Sequence, residues 1–145
     1  GLPLIQGNKY VFEFDARADA PRYLEAKVAQ DASPNANYSG IGNSYVTPTL
    51  AHFRYVFTMT NASDFNCRVV FNLGTSAADV YLNNVSLFNA PPGDFNLDGR
   101  VDLYDLSVLA ADWLKQQTNL VPDLDINRKV DFGDFGILGD NWSGP

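Results

Sequence analysis

The chain has 145 residues, 46% hydrophobic and 19% charged, with a formal charge of −7 and one cysteine. The acidity excludes blanket binding to nucleic acid or to anionic membrane surfaces, which need excess positive charge. The lone Cys67 excludes an intrachain disulfide, and no apolar run is long enough to span a bilayer.

Residues 1–90 read as all-β. From Lys9 to Ala18, Tyr10, Phe12, Phe14 and Ala16 share one face, while Glu13, Asp15 and Arg17 share the other. That is the period of a half-buried strand. Similar runs follow at Arg22–Gln30, His52–Met59, Asn66–Leu73 and Asp79–Leu87. Turn-rich stretches separate them: Asp31 to Asn37, Gly40 to Ser44, Asn61 to Asp64, and Gly74 to Ser76. Several strands at this spacing predict an antiparallel sandwich. The alternation assigns Tyr10, Phe12, Phe14, Phe53, Tyr55, Phe57 and Phe71 to the core, and it makes Cys67 a buried, inert thiol. Five strands make one sheet and part of another. We therefore expect one side of this core to lack a cover until another polypeptide, a copy of the chain included, supplies a strand. The chain starts at Gly1 without a leader, which reads as a processed product or a piece of something longer.

Asn89-Ala-Pro-Pro-Gly93 is a short stiff linker, and the pattern then changes to loop–helix, twice. The charge divides at the same place. Residues 1–90 hold six Lys/Arg against seven Asp/Glu, while residues 91–145 hold four against ten. Asp94 to Asp105 and Asp123 to Asp134 are twelve-residue loops with Asp or Asn at positions 1, 3, 5, 9 and 12. Calcium takes oxygen ligands at this spacing from a loop wrapped around it. The first loop offers Asp94, Asn96, Asp98, the Arg100 carbonyl, Asp102 and Asp105. The second offers Asp123, Asp125, Asn127, the Lys129 carbonyl, Asp131 and Asp134. The repeat continues beyond the loops at an offset of 29 residues: Val101 matches Val130, Leu109 matches Leu138, and Trp113 matches Trp142. Acidity alone would not repeat apolar residues in register, so two calcium ions are expected. Gly99 at position 6 permits a left-handed turn. Arg128 holds the same position in the second loop and makes that site the weaker one. Leu106, Leu109 and Leu114 are expected on one helical face, and Phe135 and Leu138 on another.

The segment GDFNLDGRVDLYDLSVLAADWL and its second copy, PDLDINRKVDFGDFGILGDNW, cover residues 93–142 and resemble a dockerin. The resemblance implies two calcium loop–helix repeats that bind a cohesin-like protein partner. Residues at loop positions 10 and 11 carry such contacts in that family; here they are Leu103 and Tyr104, and Phe132 and Gly133. The apolar Leu103, Tyr104 and Phe132 suit a different partner or a neighbouring module as well.

Residues 1–90 are similar to the latter part of carbohydrate-binding modules of the 4/9 type, through GNKYVFEFDARA, YLEAKVAQ, HFRYVFTMT, VVFNLG and VYLNNVSLF. The resemblance implies a jelly roll of two antiparallel sheets that binds polysaccharide in a cleft. Candidate cleft residues come from the non-core positions: Glu13, Arg17, Gln30, His52, Arg54 and Arg68, with Tyr23 or Tyr38 as a stacking platform. Glu13, Arg17 and Gln30 are expected on one common face. No Ser/His/Asp set, zinc spacing or phosphate loop stands in the sequence. The reading is therefore a secreted, non-catalytic, mainly β protein, with an incomplete jelly roll over residues 1–90 and a small α module over residues 91–145. The alternative is a structural subunit of an extracellular fibre or scaffold.

Overall fold

Lys9–Ala18 alternates so strictly that one of its faces must be covered, and it becomes the central strand of a three-stranded sheet. In the computed structural model, which describes residues 1–74 and 76–144, the chain divides into two compact units, Gly1–Asn89 and Ala90–Pro145. The first is built from β1 (Leu2–Leu4), β2 (Lys9–Ala18), β3 (Arg22–Gln30), β4 (Asn43–Val46), β5 (Ala51–Thr58), β6 (Asp64–Asn72) and β7 (Val80–Ala90). These form a mainly β sandwich with sheet orders β1-β6-β3-β4 and β5-β2-β7.

Phe12 and Phe14 lie fully buried between the sheets. Phe53 stacks on Phe14 at 5.1 Å, and Phe71 meets it edge-on at 5.1 Å. Tyr10 stacks on Phe57 at 5.6 Å, and its hydroxyl accepts the Ile5 amide at 2.8 Å. Both ends of this side chain are thereby satisfied. Cys67 is buried in the same core, and burial, helped by nearby Asp64, pushes its thiol pKa up.

Two short strands correct the expectation of an uncovered core. β1 pairs with β6, and β4 pairs with β3 inside a stretch whose Gly, Asn and Ser read as a turn. They widen one sheet to four strands, and Phe12 and Phe14 are fully buried within this chain, with Phe71 of β6 against both. The sandwich is still not fully paired. β5 bonds β2 along one edge, and among the described residues no strand pairs its other edge. Phe53 and Tyr55 on β5 are only partly buried. In β7, Leu82 and Leu87 both pack on the core although they are five residues apart. Asn84, at φ 49°, lies between them, and an irregular residue there resets the alternation.

The second unit holds α1 (Leu103–Ala111) and α2 (Phe132–Asp140). Its buried centre is Val101, Leu109, Val130 and Leu138, two pairs related by the 29-residue repeat. The Leu114 amide donates to the Val130 carbonyl at 2.8 Å, and the Ser143 amide donates to the Val101 carbonyl at 2.9 Å. Each repeat's exit segment is thus tied to the other repeat's loop. This corrects the placement of Leu114 on a helical face. α1 ends at Ala111, and Leu114 lies beyond it in a left-handed, exposed conformation that lets its backbone reach Val130.

Candidate binding surfaces and metal loops

The sandwich presents two polar sheet faces. On the outer face of β5-β2-β7, the register sets Asp15 opposite His52 and Glu13 opposite Arg54. His52 Nδ1 donates to Asp15 Oδ1 at 2.8 Å, and Asn84 donates to Asp15 Oδ2 at 2.6 Å. These bonds, that from Asn84 first, hold the Asp15 carboxyl below its usual range. Glu13 pairs with Arg54 Nε at 3.3 Å and accepts from Ser86 at 3.2 Å. Arg17 lies 3.8 Å above the Tyr81 ring and 3.6 Å from Asp19. Glu13, Arg17 and His52 therefore share one face, with much of their polar capacity turned on neighbouring side chains.

Gln30 does not join them. It ends β3 in the other sheet, opposite Cys67, with the parity of inward-facing Leu24, Ala26 and Val28. Tyr38 packs against the core, and its hydroxyl donates to Asp64 Oδ2 at 2.9 Å. It is a structural ring and offers no open platform.

Tyr23 stands on the outer face of the four-stranded sheet, directly opposite Tyr45. Both rings are more than half exposed, with centroids 5.0 Å apart. The same face carries Glu25, opposite Asn43 on β4 and Asn72 on β6. Glu25 accepts from Lys27 at 2.8 Å and from Asn72, and these bonds lower its carboxyl pKa, that from Lys27 most. Beside the pair opens a groove of about 430 Å³ lined by Pro21, Arg22, Tyr23, Asn43 and Ser76. Arg22 is buried and donates to the carbonyls of Leu73, Ser76 and Ala78, which holds the wall of that groove. Sequence reasoning picked out Tyr23 and missed Tyr45, Asn43 and Arg22. Their grouping depends on cross-strand pairing, which no local pattern records.

The two acidic loops have the same hydrogen-bond skeleton. Asp94 Oδ1 and Oδ2 accept the Asp98 and Gly99 amides at 3.1 and 2.8 Å; Asp123 accepts the Asn127 and Arg128 amides at 3.1 and 2.8 Å. Asn96 Oδ1 accepts the Asp98 amide, and Asp125 Oδ1 accepts the Asn127 amide. Asp98 accepts the Arg100 amide at 2.9 Å, and Asn127 accepts the Lys129 amide at 2.8 Å. Asp102 and Asp131 are the N-caps of α1 and α2, and Asp105 and Asp134 complete each capping box from position N3. The other oxygen of Asp105 accepts the Phe95 amide at 2.7 Å, and that of Asp134 accepts the Leu124 amide at 2.6 Å. Asp105 and Asp134 are fully buried, so each carboxylate ties the start of its loop to the helix that closes it.

Gly99 has φ 90° and Arg128 has φ 72°, the left-handed turn expected at position 6. Leu97 and Ile126 at position 4 are left-handed too, at 61° and 62°. The loops differ in their acids. Asp123, Asp125 and Asp134 offer oxygens within 4.8 Å of one another, a set that fits a hard divalent cation. The first loop has Asn96 where the second has Asp125. Burial pushes the Asp94 carboxyl up, while the Gly133 amide and then Lys129, whose Nζ is 3.2 Å from Asp131, hold Asp131 down.

No protein-family model and no curated protein matches the chain. Solved structures do. One from "CBM4 structure and function" shares 28% identity and a TM-score of 0.56 over 59% of this chain and 56% of that one. The chain therefore spans little more than half of that structure. The N-terminal cellulose-binding domain of Cellulomonas fimi β-1,4-glucanase C follows, at 20% identity and TM-score 0.48 over 60% of this chain and 63% of that one. A family 16 carbohydrate-binding module-2 gives 20% and 0.41 over 58% and 62%. The structural neighbours are thus carbohydrate-binding modules. Among the described residues no helix is long and apolar enough to cross a membrane.

Proposed function

We propose that the chain is a non-catalytic, extracellular pair of modules: a polysaccharide-binding sandwich followed by a calcium-dependent docking module of dockerin type. The observation that carries the sugar reading is the Tyr23–Tyr45 pair, exposed beside planar polar groups on a sandwich whose 28% identical neighbour is a carbohydrate-binding module. Tyrosine faces stack on sugar rings, and Asn43, Glu25 and Asn72 can fix hydroxyl groups. The face with Glu13, Arg17 and His52 is the lesser candidate, since binding there must break existing pairs. Titration of the whole chain against neutral and charged polysaccharides tests this. Tyr23→Ala is expected to weaken binding about tenfold, the effect of losing roughly 1.4 kcal/mol of contact. No binding to any glycan, or binding by Tyr23→Ala and Tyr45→Ala as tight as that of the wild type, overturns the assignment.

In the second unit, Asp94, Asn96, Asp98, Arg100, Asp102 and Asp105 would hold one calcium ion. Asp123, Asp125, Asn127, Lys129, Asp131 and Asp134 would hold another. A bound ion supplies the positive charge that clustered carboxylates lack. The side chains themselves already orient the loops through the amide bonds described. Exposed Leu103 and Tyr104 open α1, and exposed Phe132, with Trp113 edge-on to it at 5.1 Å, opens α2; these apolar side chains would suit a protein partner, cohesin-like or other.

The free edge of β5 favours a second reading, a structural subunit in which a neighbouring chain adds a strand. Light scattering separates the two. A monomer at all concentrations supports the module reading, and a concentration-dependent oligomer abolished by a proline within β5 supports the structural one.

A further inference from the structure

We infer that Gly133 is a positioning residue for the second metal loop: its missing side chain makes the space in which the Asp125 carboxylate sits. The inference rests on the calcium reading and deepens it. A Cβ built on Gly133 would lie 2.7 Å from Asp125 Oδ2 and 3.3 Å from Asp131 Oδ1. The first distance is too short for any real contact, so a side chain at 133 displaces Asp125. Asp125 cannot move alone. Its Oδ1 accepts the Asn127 amide at 3.1 Å, and its Oδ2 accepts from the Asn127 side chain at 2.9 Å. It also belongs to the close carboxylate set with Asp123 and Asp134.

The repeat supplies its own contrast. The residue 29 positions before Gly133 is Tyr104, and the residue 29 before Asp125 is Asn96. One loop combines a side chain on the helix with an amide in the loop; the other combines glycine with a carboxylate. Two other glycines in α2, Gly136 and Gly139, have nothing within 4 Å of an added Cβ. Replacing them with alanine should help the helix in the ordinary way. Gly133 should behave differently, because its gain in helix propensity comes with a displaced carboxylate.

The experiment is a calcium titration of the whole chain followed by amide NMR, with the Gly99 and Arg128 amides reporting the two loops separately. Gly133→Ala is expected to weaken the second loop about 10–100-fold, the usual cost of disturbing a ligand's support. The first loop should be unchanged. Gly136→Ala and Gly139→Ala should leave both affinities as they are and raise the melting temperature. A second measurement is made in chelator, where Gly133→Ala should shift the Asn127 amide and leave its counterpart, the Asp98 amide, in place. If the wild type binds no calcium but the Asn127 amide moves, the metal reading fails and the positioning role stands. If Gly133→Ala leaves both the Arg128 titration and the Asn127 amide within the range of the two control variants, the inference is overturned.

Discussion

The two units solve the same problem with different materials. The sandwich closes over fully buried aromatic rings, Phe12 and Phe14, with Phe53 and Phe71 against them. Among the described residues, the loop–helix unit has a core cluster of four fully buried aliphatic side chains, Val101, Leu109, Val130 and Leu138, and takes further order from carboxylates bonded to backbone amides. A core of rings gains from water exclusion, which no small ion changes. A unit of about 55 residues has too little apolar interior for that alone, and its acids repel one another until something neutralises them. The two units should therefore fail under different conditions.

The largest expected effect is on the second unit. Asp134→Ala removes the acceptor of the Leu124, Asp125 and Asp131 amides. These bonds are part-buried, so leaving each donor without a partner costs up to about 1–3 kcal/mol, and three together are enough to unfold a thin unit. Helical circular dichroism should fall with Asp134→Ala, with Asp105→Ala, and in wild type treated with chelator, while sandwich amides stay dispersed. If helicity is unchanged by chelation, cation does not hold this unit together. Next in size is the converse. Phe14→Ala should cost the sandwich about 3–5 kcal/mol and leave the amide pattern of the loops untouched. Loss of both units together would mean that they fold as one, against the division drawn here.

Acid sharpens the contrast within the sandwich. Asp15, Glu25 and Asp64 all have carboxyl pKa values lowered in the fold, by Asn84, by Lys27 and by the Asn66 amide respectively. A depressed carboxyl contributes stability that is complete above its unfolded value, 3.8 for Asp and 4.5 for Glu, and is lost as pH falls through the folded value. Urea midpoints for the sandwich should be flat from pH 7 to 5 and decline below about 4. The triple variant Asp15→Asn, Glu25→Gln, Asp64→Asn should show a shallower decline. An equally steep one would place the acid sensitivity elsewhere.

What could be read in the sequence follows the range of the signal. β2 and β3 begin and end where alternation placed them, Lys9–Ala18 and Arg22–Gln30, because a period of two is visible within one strand. β1 and β4 are three and four residues long, too short to show any period, and Asn43 and Ser44 look like turn residues until β3 lies beside them. Gln30 was legible but misread: counting by twos from Leu24 puts it on the inward side. The Tyr23–Tyr45 platform was not legible, since it exists only through strand register. The left-handed turn at position 6 was legible in both loops because the chain states them twice. The left-handed residues at position 4 were not, since neither leucine nor isoleucine, here Leu97 and Ile126, favours that conformation.

The smallest expected effect compares the two copies at position 6. Gly99 and Arg128 share the left-handed backbone, and each amide donates to the first aspartate of its loop at 2.8 Å. Glycine adopts that conformation freely, whereas arginine sits there at a cost of about 1 kcal/mol. Against this, glycine loses more freedom on folding, which returns part of the gain. Arg128→Gly should therefore be neutral or stabilising by up to about 1 kcal/mol, and Gly99→Arg should be destabilising by a similar amount. Arg128 also carries a positive charge beside an acidic loop, so its removal should favour cation binding more at low salt than at high. A paired measurement of melting temperature and calcium affinity for both variants, at two salt concentrations, checks this. If Arg128→Gly destabilises, the arginine side chain holds the second loop through a contact that outweighs its strained backbone, and the two loops are alike in skeleton only.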